Sequence, residues 1–596
     1  MSSEPARMPL FTFAIVTDTH IRPPGGDESS PFPVNDRAND RARFAAHAIA
    51  QHPRDFTVHL GDVVHPLPHL PTYEAACNEA LDILEPLKPD LRYVPGNHDV
   101  GDKPFVGSPA GPVTDEAVAL YERFFGADHY AFDHGGCHFV VMNSSLVNLG
   151  SEAEAQQRDW LEADLARNAG KRVFLFSHYP PFIDTPGEPT HYDNYEQPGR
   201  TWFLDLIARH EVEAVFSGHV HQFFYNRYRG TRLYCLPSTS FIRQDYAELY
   251  RVEPTAEFGR DDRGKFSYAL VDVYEDTHGL RVVPTEGREL PADSSLAPRP
   301  EAANGVALPL TVHLRHAWAE AVDLPYNGPM EEFSRKRCRN DYTLARLWQM
   351  GLARLRTPLG DLLDPAGRVR MADFHAVGCS FTLFCTGVPG AEAWASVREA
   401  ADMLDAFELV TAENDLSDVR VPLAALEPIE GVPLYIGKFH SSAHEPKEGS
   451  RFAHSVSFGF KWDDRDTVAA ALQTSRLGNS VAGPVFQINL GDDVAARLIE
   501  IDAFALAGGM RAAANVRLAN ENPAVANFDD AVIADRVEAV LSVAHDLKAT
   551  TVQLDTFADI DRSYHPRNGL IDRHYDLRAA GRRLAERTGS VAAEIE

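Results

Sequence analysis

Short apolar runs that end abruptly in polar residues alternate with stretches of helical period through the first half of this chain. The runs are Phe11 to Val16, Phe56 to Leu60, Leu91 to Val94, Val173 to Phe176 and Val212 to Phe216. Such a run reads as a strand buried on both faces at the point where it emerges into a loop. Between them, Asp40 to Gln51, Tyr73 to Leu84, Glu116 to Phe125, Glu152 to Arg167 and Trp202 to Arg209 carry the helical pattern. Strand alternating with helix predicts an α/β sheet with helices on its faces. Further strands are predicted at Cys137 to Met142 and as a hairpin-like pair around Phe266 to Val273 and Leu280 to Val283. Those additions favour a two-sheet sandwich over a single open sheet.

The polar ends of the runs hold the chemistry. They read Asp18-Thr-His20, Gly61-Asp62, Gly96-Asn97-His98-Asp99, Ser177-His178 and Gly218-His219-Val220-His221. Together they supply three carboxylates, one amide oxygen and five imidazoles. Ligands of open α/β sheets gather beyond the carboxyl ends of the strands, where all five blocks fall. Oxygen and imidazole nitrogen suit hard and borderline divalent metals, so the set reads as a two-metal site. Each block alone is weak: Gly-Asp is an ordinary turn, and Asp18 could cap a turn or helix. The ordered combination carries the inference.

In that order the blocks resemble the calcineurin-like metallophosphoesterases, over roughly residues 8–285. The Gly-Asn-His-Asp and Gly-His-Val-His forms are similar to the subgroup of cyclic-nucleotide and glycerophosphodiester phosphodiesterases. The resemblance implies a four-layer α/β/β/α sandwich over residues 1–285. It implies that Asp18, His20 and His221 hold one metal, that Asn97, His178 and His219 hold the other, and that Asp62 bridges them. The expected cofactors are two divalent or trivalent ions, Mn, Fe or Zn. Two such cations neutralise a phosphate and deliver a water shared between them as nucleophile. By the same resemblance His98 is no ligand and assists the leaving group, with Asp99 as its orienting partner; the other reading of Asp99 is a cap on the following segment. The expected reaction is hydrolysis of a small phosphate diester, with phosphomonoesterase or nuclease action as the alternatives.

Two loops are candidates for substrate contact, Ile21 to Asn39 and Ile183 to Arg200. Long loops beside a site are commonly lids. From the second, His191 and Tyr192 are candidate contacts, and His65 lies three residues after Asp62. For each, a plain loop residue is the competing reading.

Composition narrows the partners. The 596 residues exceed one ordinary core, and 44% are hydrophobic, which predicts two or more folded domains. A net charge of −29 argues against nucleic acid, whose affinity comes largely from Lys and Arg on phosphates. A small phosphate-ester substrate is favoured. No apolar run approaches the length of a membrane span, no signal peptide is visible, and six cysteines stand scattered; a cytoplasmic enzyme is the expectation.

Proline-rich residues 286–308 read as a linker. Beyond them, 309–596 again shows apolar runs, at Leu310 to Leu314, Phe381 to Phe384, Phe407 to Val410, Leu434 to Ile436, Val456 to Phe460, Val485 to Leu490 and Thr551 to Leu554. Their number and spacing fit a (β/α)₈ barrel, with an indistinct second strand near Leu352 to Leu355. Polar residues stand at or after several strand ends: Arg315, His316, Glu413, Asn414, Lys438, His440, Asn489 and Asp555. The charged run from Asp559 through Asp561, Arg562, His565, Arg567, Asp572, Arg573 and His574 reads as a salt-bridged surface segment. This half is expected either to be a second enzyme or to be a module that shapes the phosphoesterase site or carries self-association into a homo-oligomer.

Overall fold

The computed structural model describes residues 8–105, 107–298, 308–325, 335–411, 426–441, 456–473, 481–519, 530–559 and 567–588. Glu413, Asn414, Asp561, Arg562 and His565 lie outside the described residues. The described parts of Ala6–Ala302 and Ala321–Ala345 form one compact unit, and those of Ala303–Glu320 and Arg346–Gly589 a second.

The first unit is a sandwich of two sheets. One has the order β11-β10-β1-β2-β3, built from β1 (Phe11–Val16), β2 (Phe56–His59), β3 (Leu91–Tyr93), β10 (Ser267–Val273) and β11 (His278–Pro284). The other runs β4-β5-β6-β7-β9-β8, from β4 (Tyr130–His134), β5 (Cys137–Val141), β6 (Arg172–Phe176), β7 (Ala214–Ser217), β8 (Phe224–Tyr228) and β9 (Thr231–Cys235). Strand alternation explains the layering. Phe13 of β1 meets Phe139, Phe174, Phe176 and Phe216 of the facing sheet, with ring centroids 5.7, 6.1, 6.0 and 6.0 Å away. Its neighbours Ala14 and Val16 face the other way, into a core shared with the helices Ala38–Ala50 and Tyr73–Ile83. The helices Glu152–Arg167 and Gly199–Arg209 cover the outer face of the second sheet through Leu161, Leu165, Phe203 and Ile207. The result is the expected α/β/β/α order. Each buried Phe contributes about 1.5–3 kcal/mol, so the aromatic seam is a main source of cohesion.

Two segments depart from the reading of the sequence. Residues 286–298, expected to begin a linker, pack on the first unit. Leu290 is buried in its core, its N–H donates to Asp40 O at 2.9 Å, and Gln51 Nε2 donates to Ala297 O at 3.0 Å. Residues 321–325 and 335–345, expected in the second domain, also belong to the first unit. There β13 (Ala321–Asp323) pairs antiparallel with β14 (Arg337–Arg339), and Leu324 and Cys338 pack with Ile183, Val220, Phe224 and Tyr246.

The second unit is a closed parallel barrel. Its strands are β12 (Leu310–His313), β15 (Arg354–Pro358), β16 (Ser380–Thr386), β17 (Leu404–Thr411), β18 (Leu434–Ser441), β20 (Gly483–Ile488), β21 (Ala512–Arg517) and β22 (Thr550–Asp555). Each pairs in parallel with the next in the chain, β17 joins β18, and β22 returns to β12, which closes the eight. The apolar run at Val456 is not a barrel stave: β19 (Val456–Phe458) pairs antiparallel at the end of β18. Among the described residues no helix is long and apolar enough to cross a membrane.

Candidate metal centre

Every predicted donor follows the carboxyl end of a strand by a few residues: Asp18 after β1, Asp62 after β2, Asn97 after β3, His178 after β6, and His219 and His221 after β7. The backbone there is unusual. Asp18, His20, Asp62, His219 and His221 all sit at positive φ, between 46 and 67°. Residues other than glycine pay roughly 1–3 kcal/mol each for such a conformation, and a fold keeps it where a site depends on it. Close approach explains the glycines in the blocks. A Cβ on Gly96 would stand 2.2 Å from the Asp62 nitrogen, and one on Gly218 would stand 2.1 Å from Thr17 Oγ1.

The donors converge in two groups that share one residue. Asp18, His20, Asp62 and His221 have ligating atoms within 4.8 Å of one another, as do Asp62, His178 and His219. Asn97 belongs with the second group: its Oδ1 is 3.0 Å from His178 Nε2 and 2.9 Å from His219 Nδ1. All seven side chains are buried. The fold thus brings together all seven residues expected as ligands, with Asp62 common to both groups.

The hydrogen bonds at the far side of two rings determine what faces the centre. His221 Nδ1 donates to Phe241 O at 2.7 Å and His178 Nδ1 donates to Leu60 O at 2.9 Å. In the neutral ring this leaves each Nε2 as an acceptor. His221 Nε2 faces Asp18 Oδ1 at 3.2 Å, and His178 Nε2 faces Asp62 Oδ1 at 3.4 Å and the Asn97 oxygen. At these two rings the neutral imidazole would meet its oxygen acceptor to acceptor, a contact that a proton or a cation in between relieves. Burial opposes a proton on His178, yet the Asp62 carboxylate outweighs it and holds this imidazole up at about 9. Burial, with the neighbouring imidazole of His98, keeps His20 well below its ordinary value. The residues therefore fit divalent or trivalent metal ions: an all-oxygen and imidazole donor set, buried, with lone pairs converging on two points.

His98 stands at the open edge, half-buried, outside both groups that share Asp62. Its N–H donates to Asp62 Oδ1 at 2.8 Å and its Nδ1 to His65 O at 2.5 Å. The orienting partner is thus the His65 carbonyl and not Asp99, which corrects the expected catalytic role of that carboxylate. Asp99 points away and accepts from Gly96 N at 2.8 Å, Val63 N at 3.1 Å and Val64 N at 3.5 Å. It ties the second and third blocks together and caps the turn Asn97–Val100. Burial and the nearby Asp62 push its pKa to about 8.

His65 does lie at the site, with Nδ1 3.2 Å from His20 Nδ1. So does Tyr192, whose hydroxyl is 3.3 Å from Asn97 Nδ2 and donates to Asp102 at 3.1 Å. His191 does not. Its Nε2 meets Glu188 Oε1 at 3.2 Å and its Nδ1 accepts from Asp193 N at 3.2 Å, so both ring nitrogens are spent on locking the loop.

Residues 11–223 match the family model described as calcineurin-like phosphoesterase. This part of the chain is a calcineurin-like metallophosphoesterase domain. Among curated relatives, the serine/threonine-protein phosphatase CPPED1 of Bos taurus is 33% identical over 207 residues, 33% of this chain and 62% of the relative. The chain thus spans less than two thirds of that relative's length. Purple acid phosphatase 21 of Arabidopsis thaliana is 28% identical over 180 residues, 28% of this chain and 39% of the relative. Of solved structures, the purple acid phosphatase PPD1 from yellow lupin aligns with 48% of this chain and 53% of its own, at 15% identity and a TM-score of 0.34.

The metallophosphoesterase unit also holds site residues that the sequence did not reveal. Ser238 and Ser240 each donate a hydroxyl to Asp18 O at 2.8 Å, which steadies the strained turn of the first block. Ser144 Oγ accepts from the His178 backbone N–H at 3.1 Å. Asp193, fully buried, places Oδ1 3.6 Å from His219 Nε2, a nitrogen that finds no hydrogen-bond partner among the described residues. Asp193 is held in turn by Arg243, by Tyr246 at 2.8 Å and by Lys336 at 2.7 Å. A carboxylate behind an imidazole is the arrangement that fixes ring orientation and raises donor strength. No local motif signals it, since Lys336 lies 143 residues from Asp193.

Proposed function

We propose that the metallophosphoesterase unit hydrolyses phosphate esters with two metal ions, Mn, Fe or Zn, held by Asp18, His20 and His221 on one side and Asn97, His178 and His219 on the other, with Asp62 shared. The observation that carries this reading is the convergence of the two buried donor groups on Asp62, with ligating atoms within 4.8 Å of one another in each. When bound, the metals supply charge neutralisation of the phosphate and activation of water.

The chain's own residues do the rest. Asp62 positions the two cations and receives the His98 backbone N–H. His98, with Nδ1–H committed to the His65 carbonyl, points Nε2 toward the leaving-group oxygen and donates a proton there from its doubly protonated, imidazolium form. Tyr192 closes the site beside Asn97 and His219, its ring 4.9 Å from the His219 ring.

For the substrate, the matched relatives named as phosphatases favour a phosphomonoester. The small diester expected from the Gly96–Asp99 and Gly218–His221 forms is the second reading, carried by those residues. The deciding experiment strips the metals, reloads with Mn, Fe or Zn, and compares mono-aryl with bis-aryl phosphate. Faster turnover of the mono-aryl ester supports the first reading and the reverse supports the second. No turnover of either, with two ions bound, overturns both.

A further inference from the structure

The interior of a parallel eight-stranded barrel is ordinarily filled by layers of branched apolar side chains. One layer here follows the rule: Ala406, Tyr435, Val485 and Ala513 form a buried apolar cluster. Two residues further toward the carboxyl ends of β17, β20 and β21, on the same face, stand Glu408, Gln487 and Asn515. Asn515 lies beside Gln553 and Gln553 beside Thr311, so register carries this polar level around to β22 and β12. Arg356 completes it on β15. All six are buried, none more than 4% exposed. Strand β18 contributes Gly437, where a Cβ would come 3.0 Å from Glu408 Oε1.

Two of the charged pairs at this end of the barrel are matched within the protein. Arg356 grips Glu408 through Nε and Nη2 at 2.8 and 2.9 Å, and Arg315 grips Asp555 through two contacts of 2.6 Å. The neutral groups are not matched. The carboxamide oxygens of Gln487 and Gln553 and the hydroxyl of Thr311 are buried and find no hydrogen-bond partner among the described residues. Orphaned polar atoms cost stability, and a core that gained nothing from them would do better with apolar side chains. Gln487 and Gln553 stand in the carboxyl-terminal halves of β20 and β22, the end at which barrels bind ligands.

We propose that the carboxyl end of this barrel binds a small, uncharged, polyhydroxylated molecule whose O–H groups donate to Gln487 and Gln553. Amide oxygens want donors, and a polyol offers several at close spacing. The guanidinium groups of Arg356 and Arg315 are spent on carboxylates and that of Arg517 donates to Asn489 Oδ1 at 3.2 Å, which disfavours an anion. The site is independent of the phosphoesterase reading, and neither depends on the other.

The test uses the full chain, with glycerol, xylose, glucose and inositol as neutral probes and a hexose monophosphate as the charged one. Calorimetry and thermal shift are expected to show saturable binding of at least one neutral polyol. Gln487→Met and Gln553→Met are expected to weaken it by about tenfold or more, the effect of losing one well-placed hydrogen bond. The unliganded Tm of both variants is expected to hold or rise, because an unpaired buried amide has been removed. Four results would overturn the proposal: no neutral probe saturates, only the phosphate binds, binding survives both substitutions, or the variants lose stability, which would assign the amides to packing.

Discussion

The ring of His98 donates its Nδ1 proton to the backbone carbonyl of His65 at 2.5 Å. The contact joins His65, three residues after the second block, to the third block, and it orients a ring that belongs to neither group of donors around Asp62, leaving Nε2 to carry the transferable proton of the imidazolium. His98→Ala should therefore leave metal content intact while lowering kcat by about 10²–10⁴, the usual range for a lost general acid. The loss should shrink on esters of acidic phenols, whose leaving oxygen needs no proton. Equal losses on acidic and basic leaving groups would contradict the role.

Asp99 is assigned to architecture, and its variants should behave accordingly. Asp99→Ala orphans buried backbone N–H groups of Gly96 and Val63, at about 1–3 kcal/mol each. Chemical denaturation should register that loss. Asp99→Asn, which keeps one acceptor oxygen, should lose less stability and should leave the pH profile of kcat unshifted. A shifted profile with undiminished stability would return Asp99 to the catalytic role first expected of it.

Lys336 and Arg243 hold the carboxylate behind His219. Lys336→Met should lower metal affinity about 10–100-fold, the range found for groups that orient a ligand from behind. Metal analysis after dialysis reads this without any turnover assay, and Lys336→Arg should recover part of it. Unchanged retention in Lys336→Met would show that Asp193 stays in place by Arg243 and Tyr246 alone.

Far from the centre, Glu213 gives a pH-dependent contribution to stability. Burial raises its pKa, but hydrogen bonds from His278 at 2.6 Å and from Arg172 at 2.6 and 2.7 Å outweigh it and hold the carboxyl at about 2. A folded pKa below the unfolded one means stability present above about pH 4.5 and lost as pH falls toward about 2. Glu213→Gln should cost roughly 2 kcal/mol at neutral pH, after allowance for partial exposure, and the gap to the wild type should close through that window. A gap that stays constant with pH would remove Glu213 as the cause.

The chemistry of the centre was legible because it is local. Each donor sits in a block of two to four residues behind an apolar run, and the block order orders the strands. Orientation was not legible. Asp99 adjoins His98 in the chain, yet at the start of a helical turn the two side chains diverge, and the partner of His98 is a backbone carbonyl with no sequence signature. Asp193, Lys336 and Arg243 meet only through tertiary folding. In the second half, β21 was missed because Ala512–Arg517 reads Ala-Ala-Ala-Asn-Val-Arg, a helical preference that burial overrides. The edge pair β8 and β9 was missed for a different reason: polar side chains interrupt both runs.

The proposed centre holds two metal ions that share Asp62. Metal counting by elemental analysis on full-length protein, reloaded and dialysed, tests it most directly. Two ions per chain are expected in the wild type, with loss of both in Asp62→Ala and of one in Asp18→Ala. A single ion in the wild type, or two ions retained by Asp62→Ala, would contradict it.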